Sequence, residues 1–128
     1  MLTDEQIKAA INELFDDYQP EHYDCVRVAY EWLDAQKKIK TKSNSWRLCT
    51  KHLIERWGGR YVSSFDVCIA ASIHDGIFGD YPAFNIASKL TFPSKSRLQG
   101  IASAGTQPNY DATCDINSGF YKHFEADQ

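Results

Sequence analysis

Apolar residues recur every three or four positions through the first half of the chain, and this spacing predicts four α-helices. The first follows Thr3, which forms a capping-box pattern with Gln6 three residues later. Its apolar stripe continues to Tyr18, and Pro20 ends it. The same spacing predicts a second helix over residues 21–38, followed by a polar, lysine-rich connector.

Two further helices are predicted on either side of a glycine pair. The third covers residues 45–57, and Gly58-Gly59 ends it because glycine adopts the left-handed conformation that closes a helix. The fourth covers residues 64–74, begins after Ser63, and is apolar on nearly every side, so we expect it at the centre of the domain. The predicted core consists of apolar residues from the four helices: Ile7, Ile11, Leu14, Val26, Ala29, Leu33, Leu53, Trp57, Val67, Ile69 and Ile73.

The pattern is weaker in the second half of the chain. Residues 76–84 are typical of a loop with aromatic anchors, 85–92 fit a short helix or a strand, and 97–101 fit a short strand. We therefore expect a mainly α domain over residues 1–104, with four helices in a winged-helix-like outline followed by short strands or irregular structure. An α+β fold without that topology is the alternative. Residues 105–128 form a polar C-terminal tail, docked or partly disordered.

Charge is segregated along the sequence although the total is only −3. Residues 1–36 contain nine acidic and two basic residues, a net charge of −7. Residues 37–60 contain eight basic residues and one acidic residue, a net charge of +7. Such segregation bears on binding partners and not on the fold.

The basic segment is the leading candidate for a binding surface. Clustered lysine and arginine neutralise phosphates, and the third and fourth helices have the outline of a helix-turn-helix, with 85–101 as a wing. The fourth helix has no Arg, Lys, Asn or Gln to read bases, so the contacts with DNA or RNA must come from elsewhere. The predicted nucleic-acid-binding residues are Lys37, Lys38, Lys40, Lys42, Arg47, Lys51, Arg56, Arg60, Lys95 and Arg97.

The competing hypothesis is a protein-binding adaptor or inhibitor. Acidic helices attract a basic partner or occupy a partner's nucleic-acid site. The tail contributes Phe120, Tyr121 and Phe124, which suit docking in a groove of another protein or onto the chain's own domain.

Two other kinds of site are weighed and not adopted. His22-x2-Cys25 and Cys49-x2-His52 place two metal-ligating pairs on separate helices, yet structural zinc sites normally have tighter ligand loops, and two core cysteines beside surface histidines explain the pattern better. Catalysis requires a nucleophile beside a base, and Cys68 lies six residues from His74, too far along one helix. Cys114 and His123 meet only if the tertiary structure brings them together. We expect a non-enzymatic protein without a cofactor.

The sequence also favours a cytoplasmic location. Its opening residues are acidic and polar, and no apolar run approaches the ~20 residues that a membrane span needs. The four cysteines are scattered, unlike a secreted disulfide framework. We expect no membrane partner, and the sequence does not specify the oligomeric state.

Overall fold

The computed structural model describes residues 1–41 and 50–127 of the chain, and the mainly α class with short strands is confirmed. None of the helices in this part of the chain is both long and apolar enough to cross a membrane. In chain order the elements are α1 (Asp4–Leu14), α2 (Tyr23–Asp34), α3 (Thr50–Gly58), α4 (Ser64–Ile73), β1 (Gly79–Asp80), β2 (Ala83–Phe84), β3 (Leu90–Phe92), a 3₁₀ helix (Lys95–Leu98), α5 (Thr113–Ser118) and β4 (Tyr121–Phe124).

Two helix starts are as the sequence predicts. At α1, Gln6 N donates to Thr3 Oγ1 at 3.1 Å and Thr3 N donates to Gln6 Oε1 at 2.9 Å. At α4, Asp66 N donates to Ser63 Oγ at 3.1 Å and Ser63 N donates to Asp66 Oδ2 at 2.9 Å. Both capping boxes satisfy amide groups that the first turn of a helix leaves unpaired.

The first two helices are shorter than predicted because tertiary hydrogen bonds take over beyond their ends. The Tyr18 hydroxyl, past the end of α1, lies 2.7 Å from Ser63 Oγ and donates to Asp66 Oδ1 at 2.8 Å. Residues 37–39, past the end of α2, form backbone hydrogen bonds with residues 85–87 at 2.8 Å. Residues 45–49 of the predicted third helix lie outside the described part of the chain.

Helix α4 packs against α1 and α2, and α3 packs against α2. Gly58 makes the contact between α3 and α2 possible, since a Cβ at this position would lie 2.3 Å from Val28 Cγ1. Gly59 follows with φ +66°, and there a Cβ would lie 2.6 Å from Gly105 Cα. The glycine pair therefore ends α3 and also admits two close backbone approaches.

The strands form two separate pairs in the C-terminal half. β1 and β2 are antiparallel, whereas β3 runs parallel to β4. The strand expected over 97–101 is wrong, because the chain forms the 3₁₀ helix at Lys95–Leu98 instead. Beyond residue 104, Trp32 Nε1 donates to the buried Tyr121 hydroxyl at 3.0 Å, so this part of the tail packs against the helices.

The predicted core is confirmed except at two positions, Leu14 and Ile73. Ile73 is only partly buried, whereas Leu14, the last residue of α1, is 43% exposed. The largest fully buried side chains are those of Trp32, Trp57 and Phe84. Leu14 continues the apolar stripe of α1, but it is the last residue of the helix and borders a hollow between α1, α4 and the β1–β2 hairpin.

Candidate functional site

Arg60, one of the predicted nucleic-acid-binding residues, is buried with only 3% of its surface exposed. Its Nη2 lies 2.5 Å from Glu21 Oε1, and its Nη1 donates to Ser103 Oγ at 3.0 Å. Its Nε donates to the Tyr61 carbonyl at 2.9 Å. This cation therefore joins the acidic N-terminal region to the interior instead of facing a phosphate.

Arg97 is enclosed by three carboxylates. Its Nε and Nη2 donate to the two oxygens of Glu125 at 2.6 and 2.7 Å. Its Nη1 lies 3.1 Å from Glu31 Oε1 and 2.9 Å from Asp34 Oδ2. The hydrogen bonds between Arg97 and Glu125 lower the pKa of Glu125 and raise the pKa of Arg97. Arg97 thus links the 3₁₀ helix, α2 and the tail.

Two basic residues of α3 are also paired within the chain. Lys51 Nζ lies 2.5 Å from Glu55 Oε1, one helical turn away. Arg56 Nε donates to the buried carboxylate of Asp115 on α5 at 2.6 Å, and this bond raises the pKa of Arg56. Each of these two cations is therefore paired with a carboxylate of the same chain.

Two lysines bind backbone carbonyl groups. Lys38 Nζ donates to the Asp34 carbonyl at 2.7 Å, and Lys95 Nζ donates to the Trp57 carbonyl at 2.5 Å. Partial burial lowers the pKa of both ammonium groups. Desolvation of this kind opposes the charged form and weakens their attraction for phosphate.

Six of the ten predicted nucleic-acid-binding residues therefore make contacts within the chain, and nucleic-acid binding through this set stays a prediction. Within residues 1–41 and 50–127, the exposed members of the set without an ion pair are Lys37, Lys40 and Lys95, and of these Lys95 donates to a backbone carbonyl. Lys42 and Arg47 lie outside the described residues. The physical reason is that the fold brings carboxylates distant in sequence beside the arginines.

The acidic residues divide into paired and unpaired groups. Those of α2 are engaged: Asp24 Oδ1 accepts from Arg27 Nη1 at 2.8 Å, while Glu31 and Asp34 face Arg97. Asp4 also pairs with Arg27. The acids that are exposed and without an ion pair in the described part of the N-terminal region lie on α1 and just after it: Glu5, Glu13, Asp16 and Asp17.

Helix α1, helix α4 and the β1–β2 hairpin border an apolar groove. One hollow of about 370 Å³ lies between the ends of the helices and the hairpin, and a second of about 360 Å³ continues along α1 and α4. Both hollows are lined by Leu14 and Ser72, so they adjoin. We call this the α1–α4 groove; its lining residues are Gln6, Ala9, Ala10, Glu13, Leu14, Phe15, Cys68, Ala71, Ser72, Ile73, Ile77, Phe78, Gly79, Asp80, Tyr81 and Phe84.

Large apolar side chains are exposed at this groove. Leu14 and Phe78 line it and are 43% and 49% exposed. Phe65, 47% exposed, stacks edge-on against the groove residue Phe15 with ring centroids 5.0 Å apart. Contiguous exposed apolar surface on a small domain is typical of a binding site. Sequence analysis missed it by assigning Leu14 to the core, although the absence of a polar face on α4 was a usable signal.

The candidate nucleophiles and bases do not form a pair. Cys68 lines the groove, and burial raises the pKa of its thiol. The ring of His74 is engaged elsewhere: Nε2 lies 2.8 Å from Asp34 Oδ1, and Gly76 N donates to Nδ1 at 3.0 Å. Cys114 is exposed at the start of α5. The expectation that the protein is not an enzyme stays a prediction.

The alternative zinc ligands have other roles in the fold. His22 caps α2, its Nδ1 accepting from Asp24 N at 2.9 Å, and burial raises the pKa of Cys25 to about 11. His52 Nδ1 lies 3.3 Å from Glu55 Oε2 on the surface of α3. Cys49 lies outside the described residues, and within them no group of three or more His, Cys, Asp or Glu is placed to hold a metal ion.

Comparison of the chain with models of known protein families, with curated proteins and with solved structures found no match. The functional argument therefore depends on the geometry of the chain itself. The α1–α4 groove combines two adjoining hollows with exposed apolar side chains and with neighbouring carboxylates that have no ion pair among the described residues. These are properties of a protein-binding surface.

Proposed function

We propose that this chain is a protein-binding domain that acts as an adaptor or inhibitor through the α1–α4 groove. The single observation that carries the proposal is the exposure of Leu14 and Phe78 at one concavity, together with Phe65, which packs on the lining residue Phe15. Water around such side chains is released when a partner covers them, and this release favours association. The chemistry requires no bound metal and no reactive group.

The size of this driving force is consistent with specific binding. Each of the three side chains leaves roughly 80–100 Å² accessible, and burial at ~25 cal/mol/Å² contributes about 2 kcal/mol for each. The three together contribute about 6 kcal/mol, which offsets part of the entropy lost on association. They therefore serve as anchors within a larger interface of roughly 800 Å² per partner.

Charge adds selectivity to the apolar anchors. Glu13, Asp16 and Asp17 are exposed beside Leu14 and have no ion pair among the described residues. Unpaired carboxylates at the rim of an interface steer a basic partner and oppose an acidic one. In the tail, Phe120 and Phe124 are exposed as well, and Phe124 stacks on Phe92 at a centroid distance of 5.7 Å. Their exposure supports the same class of function.

Site-specific crosslinking tests the proposal. A photoreactive phenylalanine analogue replaces Phe78 in one version of the protein and the exposed Thr106, away from the groove, in a matched control. We expect irradiation in the native cells to give a discrete adduct with another protein from position 78 and none from position 106. The adduct must then be reproduced with the purified partner. Equal labelling from both positions, or none from position 78, contradicts a groove-mediated function.

A parallel measurement decides the nucleic-acid hypothesis. Binding of random duplex is followed by fluorescence anisotropy at low and physiological salt, with Lys37→Glu/Lys40→Glu as the variant. We expect the Lys37→Glu/Lys40→Glu variant to have the same affinity for the duplex as the original protein, because these two exposed lysines do not control binding. Tight, salt-sensitive binding that the double variant abolishes would restore nucleic acid as the ligand and displace the protein-binding proposal.

A further inference from the structure

We propose that the α1–α4 groove receives an amphipathic α-helix from a partner protein, with large apolar residues on one face and Lys or Arg on its flanks. This inference rests on the proposed function and specifies the kind of partner. It follows from the shape of the groove, from the elements that form its walls, and from the charges around it. Each of these three observations excludes a different class of occupant.

The groove has the length and floor that a short helix needs. Its lining extends along α1 from Gln6 to Leu14, nine residues that span about 12 Å, and then continues to the hairpin. Small side chains lie between the larger ones, which allows a helix to approach closely and insert a large apolar residue. The small lining residues are Ala9, Ala10, Ala71 and Ser72.

The walls of the groove exclude an extended strand as the occupant. Strand addition requires an open edge with free backbone N–H and C=O groups. The long walls here are α1 and α4, whose backbone groups are bonded within the helices. The hairpin at the end of the groove has strands of two residues each, too short to template a ladder.

The charges around the groove favour a basic occupant. No Lys or Arg occurs among its described lining residues, whereas Glu13 lines it and the exposed Asp16 and Asp17 follow the lining residue Phe15. The last turns of α1 and α4 contain no basic residue, so the partial negative charge of both helix ends is not neutralised by their own sequences. Cations on the flanks of an incoming helix complement this surface.

A second copy of the chain fits the groove poorly. Helices α1 and α2 are acidic, and α4 is occupied in the core. Among the described helices only α3 is rich in basic residues, and its Lys51 and Arg56 already pair with carboxylates. A partner of different sequence is therefore the occupant that the charges select.

Binding of a defined peptide tests this inference. The probe is a fluorescein-labelled 18-residue amphipathic helix of Leu and Lys, and its controls are the same helix with Glu in place of Lys and a scrambled peptide of identical composition. Anisotropy titrations are run at pH 7 in 50 and 300 mM salt. We expect a micromolar Kd for the Leu/Lys helix, at least 30-fold weaker binding of the Leu/Glu helix, and at least tenfold weaker binding of the scrambled peptide.

Variants of the protein locate the peptide. Leu14→Ser and Phe78→Ser each remove an exposed anchor and should weaken binding at least tenfold. Asp16→Asn/Asp17→Asn should weaken binding several-fold and reduce its dependence on salt. Ile116→Ser is the matched control, since it removes a comparably exposed apolar residue of α5 that does not line the groove, and should change nothing. Thermal unfolding confirms that each variant is folded, as expected for changes at exposed positions.

The outcomes separate this inference from the function on which it rests. Equal binding of the Leu/Lys and Leu/Glu helices, or unchanged affinity of both Leu14→Ser and Phe78→Ser, overturns the basic-helix occupant. If crosslinking at position 78 still captures a partner protein, the protein-binding function stands without it. Sedimentation that shows a dimer dissolved by Phe78→Ser would assign the groove to a second copy and also overturn the inference.

Discussion

Replacing Arg97 with glutamine should destabilise the protein, because this side chain holds three carboxylates together. Glutamine keeps much of the length but removes the charge, leaving Glu125, Glu31 and Asp34 beside one another without a cation. Arg97 and Glu125 are only 21% and 28% exposed, so solvent screens their two-point contact incompletely. A surface nucleic-acid contact would instead tolerate the substitution without loss of stability.

The expected magnitude follows from the geometry. Exposed ion pairs contribute about 0.2–1 kcal/mol, whereas hydrogen bonds to charged groups contribute about 1.5–3 kcal/mol. The paired oxygens of Glu125 at 2.6 and 2.7 Å belong to the stronger kind, and the contact with Asp34 to the weaker. We expect Arg97→Gln to lower the free energy of unfolding by about 2–3 kcal/mol.

Urea unfolding at pH 7 measures this change. With an m-value of about 1.5–2 kcal/mol/M, the midpoint should fall by roughly 1–2 M. The matched control is Lys40→Gln, which removes an exposed cation without an ion pair in the described residues and should stay within about 0.5 kcal/mol of the original protein. An Arg97→Gln midpoint as high as that of the control would refute the assignment of Arg97 as a structural clamp.

Acidification gives an independent check on the same contact. Arg97 lowers the pKa of Glu125 below its ordinary 4.5, so the pair contributes stability above about pH 4.5. That contribution is lost as the pH falls through the lowered pKa of the folded state. The difference between the original protein and Arg97→Gln should therefore shrink below pH 4.5; a constant difference down to pH 2 would contradict the mechanism.

Three further substitutions test the packing and capping of the core by the same denaturation measurement. Gly58→Ala places a Cβ 2.3 Å from Val28 Cγ1 and should lower the free energy of unfolding by about 1–3 kcal/mol. When Val28→Ala is added, the double variant should be more stable, by at least about 1 kcal/mol, than the sum of the two single changes predicts. Strictly additive effects would exclude the clash. Tyr121→Phe leaves the buried Trp32 indole N–H without its acceptor and should lower the free energy of unfolding by about 1–2 kcal/mol. Unchanged stability would contradict a role for this hydrogen bond. Ser63→Ala breaks a capping box and should cost about 1 kcal/mol, whereas Ser88→Ala on the exposed loop should cost almost nothing.

Local sequence signals predicted the helix starts well. Thr3 and Ser63 cap their helices as expected, since a capping box involves residues only three positions apart. The apolar period predicted most of the core for the same reason: residues one turn apart share a face whatever the rest of the chain does. The predicted ends of α1 and α2 lie several residues beyond the observed ones. Tyr18 and residues 37–39 form hydrogen bonds with residues about 45 positions further along the chain, and the local pattern does not contain these partners.

The candidate site could not be predicted in the same way. Leu14 has the spacing of a core residue, and only the position of α1 relative to α4 and the hairpin leaves it at the edge of a groove. The pairing of the basic residues could not be predicted for the complementary reason. Arg60 and Arg97 are cations of ordinary appearance in the sequence, and the carboxylates that neutralise them lie 39 and 28 or more positions away.

The sequence by itself determined the mainly α class, the capped starts of α1 and α4, and most of the residues that are buried. These depend on interactions within one or two helical turns, which the order of residues specifies directly. Only the tertiary structure decided which charges remain unpaired and which apolar residues remain exposed. Both properties depend on neighbours that folding brings together from distant parts of the chain, and the composition of a segment does not contain that information.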